Sequence, residues 1–275
     1  DPLALRQVTN RFIYLEEGVA ATLEAGTYTI YNRDGVEVER RKTRLQPEQE
    51  SEELGEYEHY MLKETHEQPA RLNDTLSIDL LDASIFGDNA AATFLTVKAV
   101  QILACGTSYH AGLVARHWIE ERVGIPCQVE VASEYRYRKS VTLPGTLIVT
   151  LSQSGETADT LAALKIADNE NVVSRLAICN VDHSAIVRAS DLVFLTRAGA
   201  EIGVASTKAF TTQLAALLVL TANLAHIQDT ASFDEKEMIS ALSEIPLAVT
   251  KVLALESRIQ AMAVNFITKH HALFL

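Results

Sequence analysis

Positive charge is what this sequence has least of: 24 lysines and arginines stand against 36 aspartates and glutamates, giving a formal net charge of -12 and a pI of about 5.1. Such a surface repels phosphate backbones, which excludes general nucleic-acid binding. It also requires any phosphate site to be built from oriented donors rather than a basic field. Cysteine is scarce. Cys105, Cys127 and Cys179 are too far apart for a CxxC metal or redox pair, and each lies in or beside an apolar run. Buried free thiols in a reducing cytosol are expected. There is no signal peptide and no charge-free apolar run of about 18 residues. The most apolar stretch, Leu214–Ile227, reads as a core helix. The expectation is a cytoplasmic chain with no membrane or nucleic-acid partner.

Several chemical signatures are missing too. No GxGxxG follows a strand, Gly106 and Gly112 have the wrong spacing for one, and there is no GxxxxGK[ST] loop, which excludes dinucleotides and nucleoside triphosphates. No GxSxG elbow surrounds Ser152 or Ser154. His110 and His117 share a helix face but have no nearby acidic or cysteine ligand. The pair His270-His271 reads as structural. No cofactor, metal or catalytic residue is expected. The chain opens at Asp1-Pro2 without methionine and closes on the apolar run Ala272–Leu275, so both ends are expected to be cuts through a longer protein.

What is present is a pattern of two kinds. Residues 1–45 look β-rich: Arg11–Leu15 and the alternating Thr27–Tyr31 read as strands, and Asn32-Arg33-Asp34-Gly35 turns the chain back along Val36–Glu39. Residues 46–56 form an acidic linker, followed by a polar helix from Glu58 to Glu67 that Pro69 should stop. From Val97 onward strands alternate with helices. Strands are expected at 97–104, 127–132, 146–151, 175–179 and 192–195, and helices at 108–123, 157–167, 206–227, 233–244 and 247–266. Strands that are apolar throughout, separated by helices, imply an α/β fold: a parallel sheet covered on both faces. No internal repeat is found.

In such sheets ligands bind at the carboxyl ends of strands, near helix N-termini. Three loops meet that condition: Cys105-Gly106-Thr107-Ser108, Ser152-Gln153-Ser154-Gly155-Glu156-Thr157, and Gly203-Val204-Ala205-Ser206-Thr207. Free N–H groups at helix starts hold anions, and hydroxyls add donors without charge. The alternative for each loop is an ordinary Ser/Thr cap, worth about 1 kcal/mol. The second loop carries more hydroxyls than a cap needs, and together the three suggest a phosphorylated, hydroxyl-rich ligand. Glu201 and Lys208 flank the third loop, either orienting it or forming a solvated pair. Arg136, Arg138 and Lys139, interleaved with Tyr135 and Tyr137, suggest an interface or a loop anchor.

At these loops the sequence resembles the glucosamine-6-phosphate synthases, the glutamine-dependent fructose-6-phosphate amidotransferases. The likeness lies in His59–Glu64, Leu103–Tyr109, Ser133–Arg138, Leu151–Thr160 and Glu201–Leu214, and in Phe12–Gly18, which is similar to the tail of the family's glutaminase domain. The resemblance implies two flavodoxin-like sugar isomerase (SIS) domains behind a glutaminase domain. On that pattern residues 1–45 are the glutaminase tail, 46–90 a linker and helical lead-in, 91–230 the first SIS domain, and 231–275 a helical connection ending in the first strand of the second. It implies that Thr107, Ser152, Ser154 and Thr157, joined by Ser108 and Gln153, hold the sugar phosphate, and that Val204, Ala205 and Ser206 line the sugar chain. The partners implied are fructose 6-phosphate, glucosamine 6-phosphate and a second copy in a full-length homodimer. The family's nucleophilic cysteine and its isomerase Glu, His and Lys would lie outside the chain, so a fragment that binds without turnover is expected. The rivals are a non-catalytic SIS sugar-phosphate sensor and another SIS phosphosugar isomerase.

Overall fold

The computed structural model describes residues 8–15, 18–44, 53–231, 233–271 and 273. Contacts divide the chain into two compact units, Asp1–Glu50 and Ser51–Leu275.

In the first unit β1 (Arg11–Phe12) pairs with β4 (Thr43–Arg44), and β2 (Ala20–Glu24) pairs antiparallel with β3 (Thr27–Tyr31). The expected hairpin is therefore corrected. Thr27–Tyr31 does form a strand, but its main partner precedes it, across a turn at Ala25-Gly26 where Gly26 takes φ +86. The return after Asp34-Gly35 yields only one bridge, Tyr31 to Glu37. Glu16 and Glu17 of the glutaminase-like motif, and residues 46–52 of the acidic stretch, lie outside the described residues.

The second unit is built on five parallel strands: β5 (Ala99–Ala104), β6 (Cys127–Val131), β7 (Thr146–Ser152), β8 (Val172–Cys179) and β9 (Leu192–Leu195), in the order β6-β5-β7-β8-β9. This is the 2-1-3-4-5 order of flavodoxin-like sheets, whose direction of winding reverses between β5 and β7. Side chains alternate between two cores, as the period of a strand demands. Ile102 and Ala104 of β5, with Leu147, Val149 and Leu151 of β7, face one core, shared with α1 (Tyr60–Leu76), α2 (Ala90–Thr96), α3 (Gly106–Arg122) and α7 (Lys208–Ile227). Leu103, Ile148 and Ala177 face the other, with α4 (Ala132–Tyr135), α5 (Ala158–Ala167) and α6 (Ala185–Arg188). By length and composition α7 could cross a membrane, but 67% of its apolar window is buried inside this core.

Helix α3 lies close to the sheet because Gly112 has no side chain. A Cβ there would come 2.9 Å from Val129 Cγ1 and 3.0 Å from Ile102 Cγ2. Both atoms belong to packed, β-branched residues that cannot swing away. Gly112→Ala is expected to lower stability by about 1–3 kcal/mol, read as an earlier urea midpoint. An unchanged midpoint would mean that α3 is free to move off the sheet.

Proline misplaced two helix boundaries. Pro69 does not stop α1, which continues to Leu76. Proline removes the N–H that would bond the carbonyl four residues earlier. Here the Gln68 side chain donates to that Thr65 carbonyl at 3.0 Å, so the acceptor stays satisfied. Pro246 is likewise inside α8 (Glu235–Leu253), and the break falls at Ala254-Leu255, before α9 (Glu256–Ala263). Of the expected strand at the end of the chain, only His270, His271 and Leu273 are among the described residues, and these three have no strand structure. Ala272, Phe274 and Leu275 lie outside the described residues.

Candidate functional site

The carboxyl ends of β5 and β7 open into a cleft of about 220 Å³ lined by Cys105, Thr107, Ser108, Leu151, Ser152, Gln153, Ser154, Thr157, Thr160, Glu201 and Ser206. The cleft therefore gathers residues from all three loops at the point where the sheet reverses its winding. Of the expected site residues, Thr107, Ser108, Ser152, Gln153, Ser154, Thr157 and Ser206 are among its lining. Val204 and Ala205 are not; both are exposed, Val204 completely. A larger apolar hollow of about 520 Å³ exists in the first unit, around Phe12, Ile13, Leu23 and Ile30, but no helix N-terminus opens into it.

The first two loops leave their helix starts open. Neither Cys105 before α3 nor Thr157 before α5 caps its helix with a side-chain hydrogen bond. Unmet N–H groups and the positive ends of both helices therefore face the cleft. No lysine or arginine is among the lining residues, so attraction for an anion must come from these dipoles and the hydroxyls.

The second loop is rigid for reasons local to its sequence. Ser152 Oγ accepts from Gly155 N at 2.9 Å and lies 3.2 Å from Thr157 Oγ1. Ser154 Oγ accepts from Glu156 N at 3.2 Å. In each serine the hydroxyl oxygen is occupied as an acceptor, which leaves its proton to donate. The loop is also pinned from outside: Gln153 O accepts from Asn180 N, Gly155 O from Ile186 N, and Glu156 Oε1 from Ala185 N. Gly155 sits at φ +65, against Ser184 and Cys179.

The third loop differs in kind. Glu201 Oε1 accepts from Thr207 N at 2.9 Å and from Ala209 N at 3.1 Å, and the Ser206 and Thr207 hydroxyls also reach that carboxylate. The start of α7 is thus already occupied by a fixed negative charge. This resolves the choice left by the sequence: Glu201 orients its loop. Lys208 pairs elsewhere, with Glu67 at 2.5 Å, and is buried. A carboxylate at one end of the cleft and two open helix starts at the other give the site a polarity. An anionic group is favoured at α3 and α5 and repelled at α7.

The remaining candidates fall into place around this cleft. Cys105 is half-buried at its edge rather than buried, whereas Cys127 and Cys179 are buried. Burial, with Glu120 adding and Arg116 opposing, pushes the Cys127 thiol up to about 12; burial also raises Cys179, against a hydrogen bond from Ser184. Both are inert thiols at neutral pH. Arg136 bonds Asp159 at 2.8 Å, Arg138 bonds Glu130, and Tyr135 is buried, so the basic-aromatic cluster anchors the chain after β6 to its own domain. His110 and His117 are exposed on α3.

One residue behind the site escaped the sequence. Glu64, on α1, accepts from Ile202 N at 2.6 Å and Gly203 N at 2.9 Å. It was visible only as part of the His59–Glu64 block, with nothing local to connect it to a loop so far along the chain.

Comparison with known proteins bears on the fold and the family. Residues 94–223 match the model of the SIS domain. The glutamine–fructose-6-phosphate aminotransferase [isomerizing] of Pseudomonas syringae is 51% identical over the whole chain, and that of Haemophilus influenzae 48%. The chain spans 46% of the length of each, about half. Among solved structures, the C-terminal domain of the glucosamine-fructose-6-phosphate aminotransferase from Francisella tularensis superposes with a TM-score of 0.74 at 44% identity, covering 78% of this chain and 62% of that one. The tagatose-6-phosphate ketose/aldose isomerase of Escherichia coli shares the fold at 17% identity, with a TM-score of 0.54, covering 71% of this chain and 54% of that one.

Proposed function

The chain belongs to the glutamine–fructose-6-phosphate aminotransferase family, and from that premise we propose that its cleft is the sugar-phosphate site of a protein that makes glucosamine 6-phosphate from fructose 6-phosphate and glutamine. The observation that carries this reading is the convergence of two uncapped helix starts with the hydroxyls of Thr107, Ser108, Ser152, Ser154 and Thr157 in a cleft without a cation. A phosphate dianion there meets N–H and O–H donors from two directions, and Gln153 adds an amide. The carboxylate of Glu201 then turns the hydroxyl-bearing end of the sugar toward the third loop, where Ser206 lies in the cleft and Val204 and Ala205 stand beside it.

In this reading residues 91–230 are the first SIS domain, 46–90 its lead-in, 231–275 the connection toward a second SIS domain, and 1–45 the tail of a glutaminase domain. The chain binds sugar phosphate and holds none of the groups that transfer ammonia or isomerise the sugar. In the full-length protein it forms part of one subunit of a homodimer.

Calorimetric titration with fructose 6-phosphate, against unphosphorylated fructose, tests the site. Binding is expected only with the phosphate, and Ser154→Ala is expected to weaken it by about tenfold or more, the worth of one hydrogen bond to a charged group. Equal affinity for the two sugars, or an unaffected Ser154→Ala chain, would remove the phosphate from these loops.

A further inference from the structure

We infer that Glu64 is a positioning residue for sugar recognition: from behind the cleft it fixes the third loop in the shape that receives the sugar, and takes no part in holding the phosphate. The inference rests on the sugar-phosphate reading and deepens it.

The geometry is specific. Glu64 is 2% exposed. Its Oε1 accepts from two successive backbone N–H groups, Ile202 and Gly203, and its Oε2 is buried with no hydrogen-bond partner among the described residues. A buried carboxylate with one oxygen unsatisfied is a costly way to fill space, and an apolar side chain would fill it at less cost. What the carboxylate supplies is a strong acceptor for two adjacent amides.

The rest of the loop shows what that acceptor holds in place. Glu201 folds back onto Thr207 and Ala209, closing the segment on itself. The neighbouring stem is tied by Asn180, whose Oδ1 accepts from Ala198 N at 2.6 Å and whose Nδ2 donates to Gly199 O at 2.8 Å. Between these ties, Ile202 and Gly203 are held to α1 by Glu64, and the next two residues, Val204 and Ala205, project into solvent. Gly203 is part of the same device. A Cβ on it would lie 2.7 Å from Glu64 Oε2 and 3.4 Å from Met61 Cα and N, so only glycine allows the carboxylate this close. Among the described residues no hydrogen bond joins Glu64 to the phosphate loops at Thr107–Ser108 and Ser152–Thr157, which separates the two halves of the site.

The test is NMR titration of the full chain with inorganic phosphate and with fructose 6-phosphate. The wild-type chain is expected to bind the sugar phosphate more tightly than phosphate alone. In Glu64→Ala, and independently in Gly203→Ala, affinity for inorganic phosphate should stay within about twofold while fructose 6-phosphate loses about tenfold or more, erasing the sugar's advantage. Glu64→Gln keeps an acceptor oxygen for the two amides and should restore most of that advantage. The inference is overturned if Glu64→Ala and Gly203→Ala retain the full preference for the sugar phosphate, or if a folded variant loses both ligands equally. A wild-type chain that binds neither ligand overturns the sugar-phosphate reading itself, a result distinct from variants that bind both ligands as the wild type does.

Discussion

Gly155→Ala is expected to lower stability by about 2–5 kcal/mol and to abolish measurable binding of fructose 6-phosphate. Two costs add. The first is conformational: at φ +65 an L-residue with a Cβ is strained by about 1–2 kcal/mol. The second is steric. The new Cβ would stand 1.9 Å from Ser184 Oγ, 2.5 Å from Ser184 Cβ and 2.8 Å from Cys179 Sγ. Ser184 and Cys179 are fully buried, so neither can swing into solvent, and overpacking of this kind costs about 1–3 kcal/mol. The backbone must move instead, and the part that moves is the turn whose Ser152, Ser154 and Thr157 hydroxyls face the cleft. A displacement of about 1 Å there is enough to lose a set of aligned donors. Ser184→Gly in the same chain removes both of the closest atoms, so the double variant should recover most of the steric part, keeping the conformational one and the 2.8 Å approach to Cys179 Sγ. Urea midpoints of the two single variants and the double variant give the coupling directly. Additive midpoints would show that Ser184 is not what confines Gly155.

Why this loop was legible in the sequence, and the third loop only in part, follows from where their partners lie. The chemistry of the second loop is local: five polar side chains sit within Ser152–Thr157, at the junction of an apolar strand and a helix. Pattern and composition therefore suffice to place it, as they do the sheet, whose strands β5 and β7 are buried on both faces and read as largely apolar runs. The third loop is defined by charges. Glu201 stands six residues from the amide it caps, and Glu64 lies 138 residues from Ile202. No periodicity reports a contact of that span. Short or fully exposed elements are silent for a different reason. All five residues of β2 are exposed, so its sequence carries no alternation, and α4 and α6 are single turns too short for a helical period. Pro69 misleads because a proline's cost is set by its surroundings, here the Gln68 amide that replaces the lost donor.

The ion pair beneath the third loop gives the second large effect. Lys208 is the first residue of α7, where the helix dipole disfavours a cation, and its side chain is only 3% exposed. Its partner is Glu67 Oε2 at 2.5 Å, and Glu67 is itself 27% exposed, with Lys63 3.7 Å away. The two ends of the pair are therefore unequal. Glu67→Ala strands a buried ammonium at the wrong end of a helix and is expected to cost about 3–5 kcal/mol. Lys208→Met leaves a carboxylate that still reaches solvent and Lys63, and the methionine occupies much of the lysine's apolar path, so its cost should be far smaller, about 1 kcal/mol. Combining the two substitutions removes the stranded charge, and the double variant should be more stable than Glu67→Ala alone. That sign is the decisive reading of the cycle, measured by urea unfolding. A double variant less stable than both single variants would mean that Glu67 contributes packing rather than charge. The support for the third loop would then rest on Glu64 and Glu201 without help from Lys208.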